Sequence, residues 1–488
     1  MNLLKLLMLT AWVFTFGNIR AQAVSILYFN DAHEIMPVSF QNHTKGGVAR
    51  LKTLVDEVKK HHPTLTIFGG DLAGGTLFGK MYKGFPMVEA FNKIPIDIAN
   101  FGQHEFDFGV KNAHSLMEKS QFDWITSNIT HRNGQPIFNL PKYKVQNING
   151  IKIGLIGLTD KVNTSLPGED LAEKDYLIAA KEAITLLNME NPDYIIAVTQ
   201  MPLKDNLKLL ETFPIIKLAL TEETSEQITR VEHIRNQYII SPIGNMGSVV
   251  EIQVQKEKDG NISSAIKIHY LDESIPQNPE LEKIANDYQH QMEQTLAENI
   301  STLPYDLDRG THLQTESVIG NLITDAYLSF FKTDFAMMNA GGIRAERLKK
   351  TVTLKEIYSI LPFDNQVGVI ELSGEEIKEL IQTGLKNYTN LGGEFVQVSG
   401  LSYRLIKLSD SKSAILEEVW VNGKPIDSQK KYSIAMPSYI IQGGGEYTSV
   451  SPEKISNRQM IPYAEPLIWY LKKHRDLHPK LEGRISVK

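Results

Sequence analysis

The chain has no cysteine among its 488 residues. That excludes disulfides, a cysteine-ligated zinc centre and a lipid-modified N-terminal cysteine. Long apolar runs are equally scarce. The one candidate lies in residues 1–23, where Lys5 precedes an apolar stretch from Leu6 to Phe16 and then Ala21-Gln22-Ala23. That stretch is shorter than the ~20 residues a spanning helix needs, and the small-x-small ending is a signal-peptidase pattern. Residues 1–23 therefore read as a signal peptide, with the mature chain starting at Val24, exported and without a stable membrane anchor. Exported eukaryotic proteins of this size are commonly disulfide-bonded, so the missing cysteines favour a bacterial periplasmic or secreted protein. Charge of one sign is lacking as well. Lys and Arg number 51 against 57 Asp and Glu, a formal net charge of −6, which argues against nucleic acid as the main partner. A nucleotide monomer can still be held by a local site. Internal repeats and low-complexity tracts are absent, and the sequence does not speak to oligomeric state.

What remains is ordinary globular material, 42% hydrophobic and 22% charged, in a chain longer than one core usually serves. Two domains are expected. From Val24 to about Asp272, strand-like runs alternate with amphipathic helical stretches such as Val48 to Lys59, the pattern of a layered α/β domain. Val249–Val254 and Ala265–Tyr270, separated by Asp259-Gly260-Asn261, read as a hairpin closing it. Residues 24–278 form this first unit. A polar helical stretch, Glu280 to Asn299, reads as a linker helix within residues 279–300. Residues 301–488 mix helices (Ser317–Phe330, Gly374–Gly384) with strands such as Glu418–Val421, giving a smaller α+β unit.

The informative residues sit just after strand-like runs. Asp31-Ala32-His33 follows Ile26–Phe29, Gly69-Gly70-Asp71 follows Leu65–Phe68, and Gly102-Gln103-His104-Glu105-Phe106-Asp107 follows Ile96–Ala99. In an α/β sheet the loops after successive parallel strands converge on one edge, where ligands bind. Two carboxylates and a histidine gathered there make a mixed oxygen and nitrogen site for a divalent metal, with His104 as an adjacent acid or base.

These motifs resemble those of the two-domain 5′-nucleotidase family, in which a calcineurin-like metallophosphoesterase domain precedes a 5′-nucleotidase C-terminal domain. The resemblance continues at Glu316–Leu322, Asn339-Ala340-Gly341-Gly342-Ile343-Arg344, Leu361-Pro362-Phe363 and Gln442–Gly445. It implies a metallophosphoesterase-type α/β sandwich, a linker helix and a substrate-binding α+β domain. It also implies two divalent ions and hydrolysis of 5′-nucleotides or related phosphate esters. Asp31, His33 and Asp71 match the family's first-metal ligands, with Asp71 bridging. His104 and Asp107 match its catalytic pair.

The second-metal positions depart from the family. Gln103 stands for an Asn, Gln200 for a His, and Glu223 with Ser225 for a His-x-His/Gln motif, although a one-residue shift to Glu222 and Thr224 fits the spacing too. Oxygen donors replacing imidazoles favour Mn²⁺, Mg²⁺ or Ca²⁺ over Zn²⁺. On the substrate side, Asn339 and Arg344 match residues that hold phosphate and sugar, while Phe363 and Tyr439 match two rings that stack a base. A further phosphate-gripping arginine becomes Leu313. The acid that holds the sugar hydroxyls falls on Gly445, with Glu446 beside it. Two alternatives stay open: a catalytically degraded nucleotide-binding protein on this scaffold, and a one-metal hydrolase acting on another ester.

Overall fold

The computed structural model describes residues 22–488 apart from 41, 163–169, 258, 364, 410 and 457–459. The expected signal peptide therefore lies almost wholly outside the described residues. Two six-stranded mixed sheets build the first half. In the first, Gln22–Phe29, Thr64–Phe68, Ile98–Asn100 and Asp123–Ile125 run parallel, and the hairpin of Ser248–Lys256 and Ile262–Tyr270 adds antiparallel at one edge. The second places Ile151–Thr159, Tyr194–Gln200, Ile216–Leu220 and Gln237–Ser241 in parallel, flanked by antiparallel Tyr143–Ile148 and Arg230–Ile234.

Side-chain alternation explains how these sheets pack. Val24, Ile26 and Tyr28 join Leu65, Ile67, Leu155, Ile196, Val198 and Leu218 in one buried cluster between the sheets. The intervening Leu27 and Phe29 face the other way, toward helices Val48–His61, Phe85–Phe91 and Val110–Lys119. On the far side, Ile156, Leu158, Ile195 and Ala197 meet helices Tyr176–Asn188 and Leu203–Thr212. A period of two, apolar on both faces, is what a strand buried between two layers requires. The result is a four-layer sandwich with the two sheets inside.

The third motif-bearing strand is shorter than the sequence suggests. The strand begins at Ile98; Asp97 before it still donates its amide to the Thr66 carbonyl at 3.0 Å, while its carboxylate accepts from the Thr66 amide and from Lys59 Nζ. The long helix runs from Pro279 to Leu296, capped by Asn278, and lays Leu281 and Ala285 into the first half's core. It stops short of the expected Asn299, since Asn299–Thr302 pairs instead with Thr351–Thr353. Beyond it lie a five-stranded sheet centred on Lys431–Pro437 and a four-stranded sheet built on Ala414–Val421 and Ser402–Lys407. Helix Val318–Phe331 is capped by Ser317, and Gly374–Gly384 opens with a reciprocal Ser373/Glu376 capping box. Among the described residues no helix is long and apolar enough to cross a membrane.

A buried polar knot ties the hairpin to the first strand. Glu251 accepts from Ser25 Oγ at 2.7 Å and from Gln253 Nε2 at 3.0 Å, and it bonds His269 Nε2 at 2.8 Å. The His269 hydrogen bond is the main cause that holds its carboxyl down to about 2 from an ordinary 4.5. A depressed carboxyl stabilises the fold fully above its unfolded pKa and loses that contribution as pH falls through the folded one. Glu251→Gln should therefore lower Tm most above about pH 5, with the gap to the wild type closing between pH 4.5 and 2. Thermal melts of both proteins across that range check this, and a pH-independent gap would contradict it.

Candidate metal and catalytic site

The parallel strands of both sheets end at the same edge, and their loops meet there. Asp31 and Asp71 both adopt left-handed backbone, with φ of 50° and 65°. Asp tolerates this region better than most residues, and the two loops are locked together, Asp31 N donating to Gly70 O at 3.0 Å and Ala32 N to Asp71 O at 2.7 Å. Across the sheets, Tyr28 Oη and Asn30 Nδ2 both donate to the Thr221 carbonyl at 3.0 Å, and Glu223 N donates to Asp31 Oδ2 at 3.2 Å.

His33, Asp71 and His104 bring ligand atoms within 4.8 Å of one another. Burial, with His104 nearby, lowers the His33 pKa to about 3, so its imidazole is neutral. An Nδ1–H given to the Ala73 carbonyl at 3.2 Å leaves Nε2 as the free lone pair. His104 differs. Burial alone would lower its pKa, but the Asp71 charge and the Asp107 hydrogen bond at 2.7 Å raise it to about 10. Two glycines make room for this: a Cβ on Gly102 would come 2.0 Å from Asp71 Oδ1, and one on Gly74 would come 2.1 Å from Asp107 Oδ2.

The donors from the second sheet lie at the same edge. Gln200 is 3% exposed, and both of its amide atoms are buried without a partner. Such atoms cost free energy unless something coordinates them. The Glu223 carboxyl hydrogen-bonds Asp31, whose own carboxyl is raised by burial and then by this contact. Glu222 also reaches the site: burial, opposed by Lys161 and reinforced by Glu223, raises its carboxyl to about 7. Both acids of the ambiguous register thus face the cluster. Gln103 Nε2 lies 3.5 Å from His104 Nε2. The Ser225 hydroxyl instead accepts from the Gln227 and Ile228 amides and closes a turn. Crowded buried carboxylates, a neutral histidine and an orphaned amide are a donor set that fits divalent cations.

The substrate-side residues gather at one end of the five-stranded sheet. Asn339 ends strand Phe335–Asn339, 4% exposed and with its amide oxygen unpartnered. The Arg344 guanidinium lies 5.6 Å from the centroid of the Phe363 ring, which is 45% exposed. Tyr439 follows strand Lys431–Pro437 and packs against Gly444. Leu313 packs against the apolar core of this half. The two halves touch at the site: Lys80 Nζ donates to the Pro362 carbonyl at 3.1 Å, next to Phe363.

Residues 24–222 match the calcineurin-like phosphoesterase family, and residues 295–451 match the 5′-nucleotidase C-terminal domain. The chain belongs to the 5′-nucleotidase family. It is 24% identical to the 5′-nucleotidase of Bos taurus over 96% of its own length and 91% of that protein's. It is 25% identical to a trifunctional nucleotide phosphoesterase of Bacillus subtilis, over 95% of this chain and 35% of that one. A putative 5′-nucleotidase of Staphylococcus aureus, solved with alpha-ketoglutarate, superposes with a TM-score of 0.75 at 18% identity, covering 95% of this chain and 99% of that one.

One residue of this 5′-nucleotidase-family site escapes sequence reasoning. Glu105, inside the His104–Asp107 motif, has no role in the sequence pattern, yet it is fully buried and accepts from Gly102 N at 2.6 Å, Leu72 N at 2.6 Å and Asp71 N at 3.1 Å. The only signal for it is an acid directly before a buried phenylalanine, in a segment too short to expose both. Glu105→Ala should destabilise the protein by about 3 kcal/mol, because several amides lose a charged acceptor, and should weaken divalent-metal binding by displacing Asp71. Chemical denaturation and metal calorimetry check both, and unchanged metal affinity would show that Asp71 is positioned without it.

Proposed function

We propose that this chain is an exported, metal-dependent phosphoesterase that hydrolyses 5′-nucleotides or related phosphate esters. One observation carries the reading: a donor atom each from His33 and Asp71 lies within 4.8 Å of the other and of a His104 ring nitrogen, while His104 keeps a 2.7 Å bond to Asp107. A scaffold that only bound nucleotides would have no use for that pairing. Asp31, His33 and Asp71 would hold one divalent ion, and Asp71, Gln103, Gln200 and Glu223 a second. Bound divalent ions supply a water-derived nucleophile and Lewis-acid polarisation of the phosphoryl group.

The protein's own groups do the rest. Asp107 orients the His104 imidazole through Nδ1 and stabilises its positive form, which leaves Nε2–H directed at the oxygen that gains charge as the ester bond breaks. Arg344 offers a fork of donors matched to phosphate. Phe363 and Tyr439 supply faces for a planar base. The oxygen-rich donors Gln103, Gln200 and Glu223 suit Mn²⁺, Mg²⁺ or Ca²⁺ better than Zn²⁺.

His104→Ala should lower kcat by about 10²–10⁴-fold and leave nucleotide affinity nearly intact, since its interaction matters chiefly in the transition state. Phe363→Ala or Tyr439→Ala should instead weaken binding, by about 1–3 kcal/mol for each lost stack. Arg344→Ala should do both. Steady-state kinetics and equilibrium binding in a series of reconstituting metals check this division. A wild type that binds nucleotide but hydrolyses no ester with any metal would leave the binding-protein reading standing.

Export rests on the apolar segment ending at Ala21-Gln22-Ala23. Intact-mass analysis of the native protein should find a chain beginning at Val24, and retention of Met1 would overturn export by this route.

A further inference from the structure

A carboxylate from another part of the chain fills the space beside Gly445. In the loop after Tyr439, position 445 is a glycine, and Glu446 beside it is exposed. Glu394 comes from a different element. Strand Phe335–Asn339 pairs antiparallel with Val396–Ser399, and the pairing continues beyond both as Ala340 N donates to Phe395 O at 2.7 Å and Gly341 N to Gly393 O at 2.8 Å. That extension sets Glu394 beside the Asn339–Gly341 segment. From the other side, the Tyr447 hydroxyl donates to the Glu394 carbonyl, and Gly444 N donates to Tyr439 O at 2.8 Å, folding residues 443–445 back over the Tyr439 ring.

The carboxylate itself is boxed by glycines. A Cβ on Gly445 would come 2.3 Å from Glu394 Oε1 and 2.6 Å from the Tyr439 hydroxyl, and a Cβ on Gly392 would come 2.8 Å from Glu394 Oε2. Gly445 also has φ +62°, a conformation in which L side chains other than Asn and Asp are rare. The space that a side chain at 445 would fill is thus already taken by Glu394, at the edge of an aromatic ring. Among the described residues no cation pairs with this half-buried carboxylate.

We propose that Glu394 sets specificity for the sugar, its two oxygens accepting hydrogen bonds from the vicinal hydroxyls of a ribose-like ring whose base lies against Tyr439. This rests on the nucleotide reading above and narrows it to ligands that carry such a diol. A carboxylate has two acceptor oxygens and no donor, and a vicinal diol offers two hydroxyl donors at matching separation. A group built to receive hydroxyls discriminates strongly against an analogue lacking them, because its acceptors then stay desolvated and unpaired.

Adenosine and 2′,3′-dideoxyadenosine, titrated calorimetrically into the full chain, read this without turnover. The wild type should bind adenosine about 10- to 100-fold more tightly, the range for hydrogen bonds to a charged group. In Glu394→Ala that ratio should fall toward one. Glu394→Gln, which keeps one acceptor oxygen, should retain part of it. Glu394→Ala combined with Gly445→Asp should recover part by supplying the carboxylate from the loop. Equal affinities in the wild type, binding of neither nucleoside, or an Ala variant that loses both while preserving their ratio would each overturn the proposal. If the chain hydrolyses no phosphate ester, the enzymatic reading fails, while the two binding constants still decide the role of Glu394.

Discussion

Three amides from two loops converge on the buried Glu105 carboxylate, and the geometry of the edge that carries Asp71 and His104 follows from that convergence. Gly102 and Glu105 lie after one strand, Asp71 and Leu72 after its neighbour. Burial pushes the Glu105 carboxyl up, and the three N–H donors oppose that by replacing its hydration, helped by the charge of His104. Because Asp71 donates its own amide to Glu105, its carboxylate is turned outward, and Oδ1 then accepts the His104 amide at 2.8 Å. Asp71 and His104 are therefore placed by one network before any ligand is considered. Asp107 completes it, since the same short helical turn carries His104 and Asp107 and lets their side chains meet at 2.7 Å.

The electrostatics of the edge are unbalanced by this arrangement. Burial raises the carboxyls of Asp31 and Asp71, and Glu222 is pushed up to about 7. His104 is the one group among them whose positive form gains from the crowding. Such a cluster gives up part of the fold's stability for affinity, as acids held near one another accept a multivalent cation more readily than separate protons. The orphaned amide of Gln200 belongs to the same imbalance. Gln200 and Glu223 add oxygen donors to an edge already crowded with carboxyls.

Much of this was legible in the sequence, for a reason that also marks where legibility ends. Asp31, His33, Asp71, His104 and Asp107 each lie within a few residues of a strand end, so local pattern and the general behaviour of parallel sheets bring them to one edge. Contacts between the two sheets carry no such local signal. The Glu223 amide reaches Asp31 across 192 positions, and Thr221 receives Tyr28 and Asn30 across comparable spans. Periodicity shows that Val24 to Phe29 is buried on both faces but does not say that a second sheet covers one of them. Spacing alone likewise left Glu222 and Glu223 unresolved, and the fold turns both toward the cluster. Glu394 was invisible because its meaning depends on the emptiness of Gly445, 51 residues later in the chain.

The division between the halves follows from which residues can be held rigidly. Asp31, Asp71 and Gln200 sit at the ends of strands buried on both faces, where backbone position is fixed by two layers of packing. Phe363, Arg344 and Tyr439 lie on connections at one end of the other half's sheet, with Phe363 45% exposed. The helix Pro279–Leu296 is fastened to the first half through Leu281, Ala285 and the Tyr82 hydroxyl, which donates to the Tyr288 carbonyl at 3.0 Å. Near the site itself, Lys80 and the Pro362 carbonyl form a further tie, one exposed hydrogen bond at 3.1 Å. Lys80, close enough to Asp107 to feel its charge, thus brings the Pro362–Phe363 connection of the second half to the edge that carries His104 and Asp107.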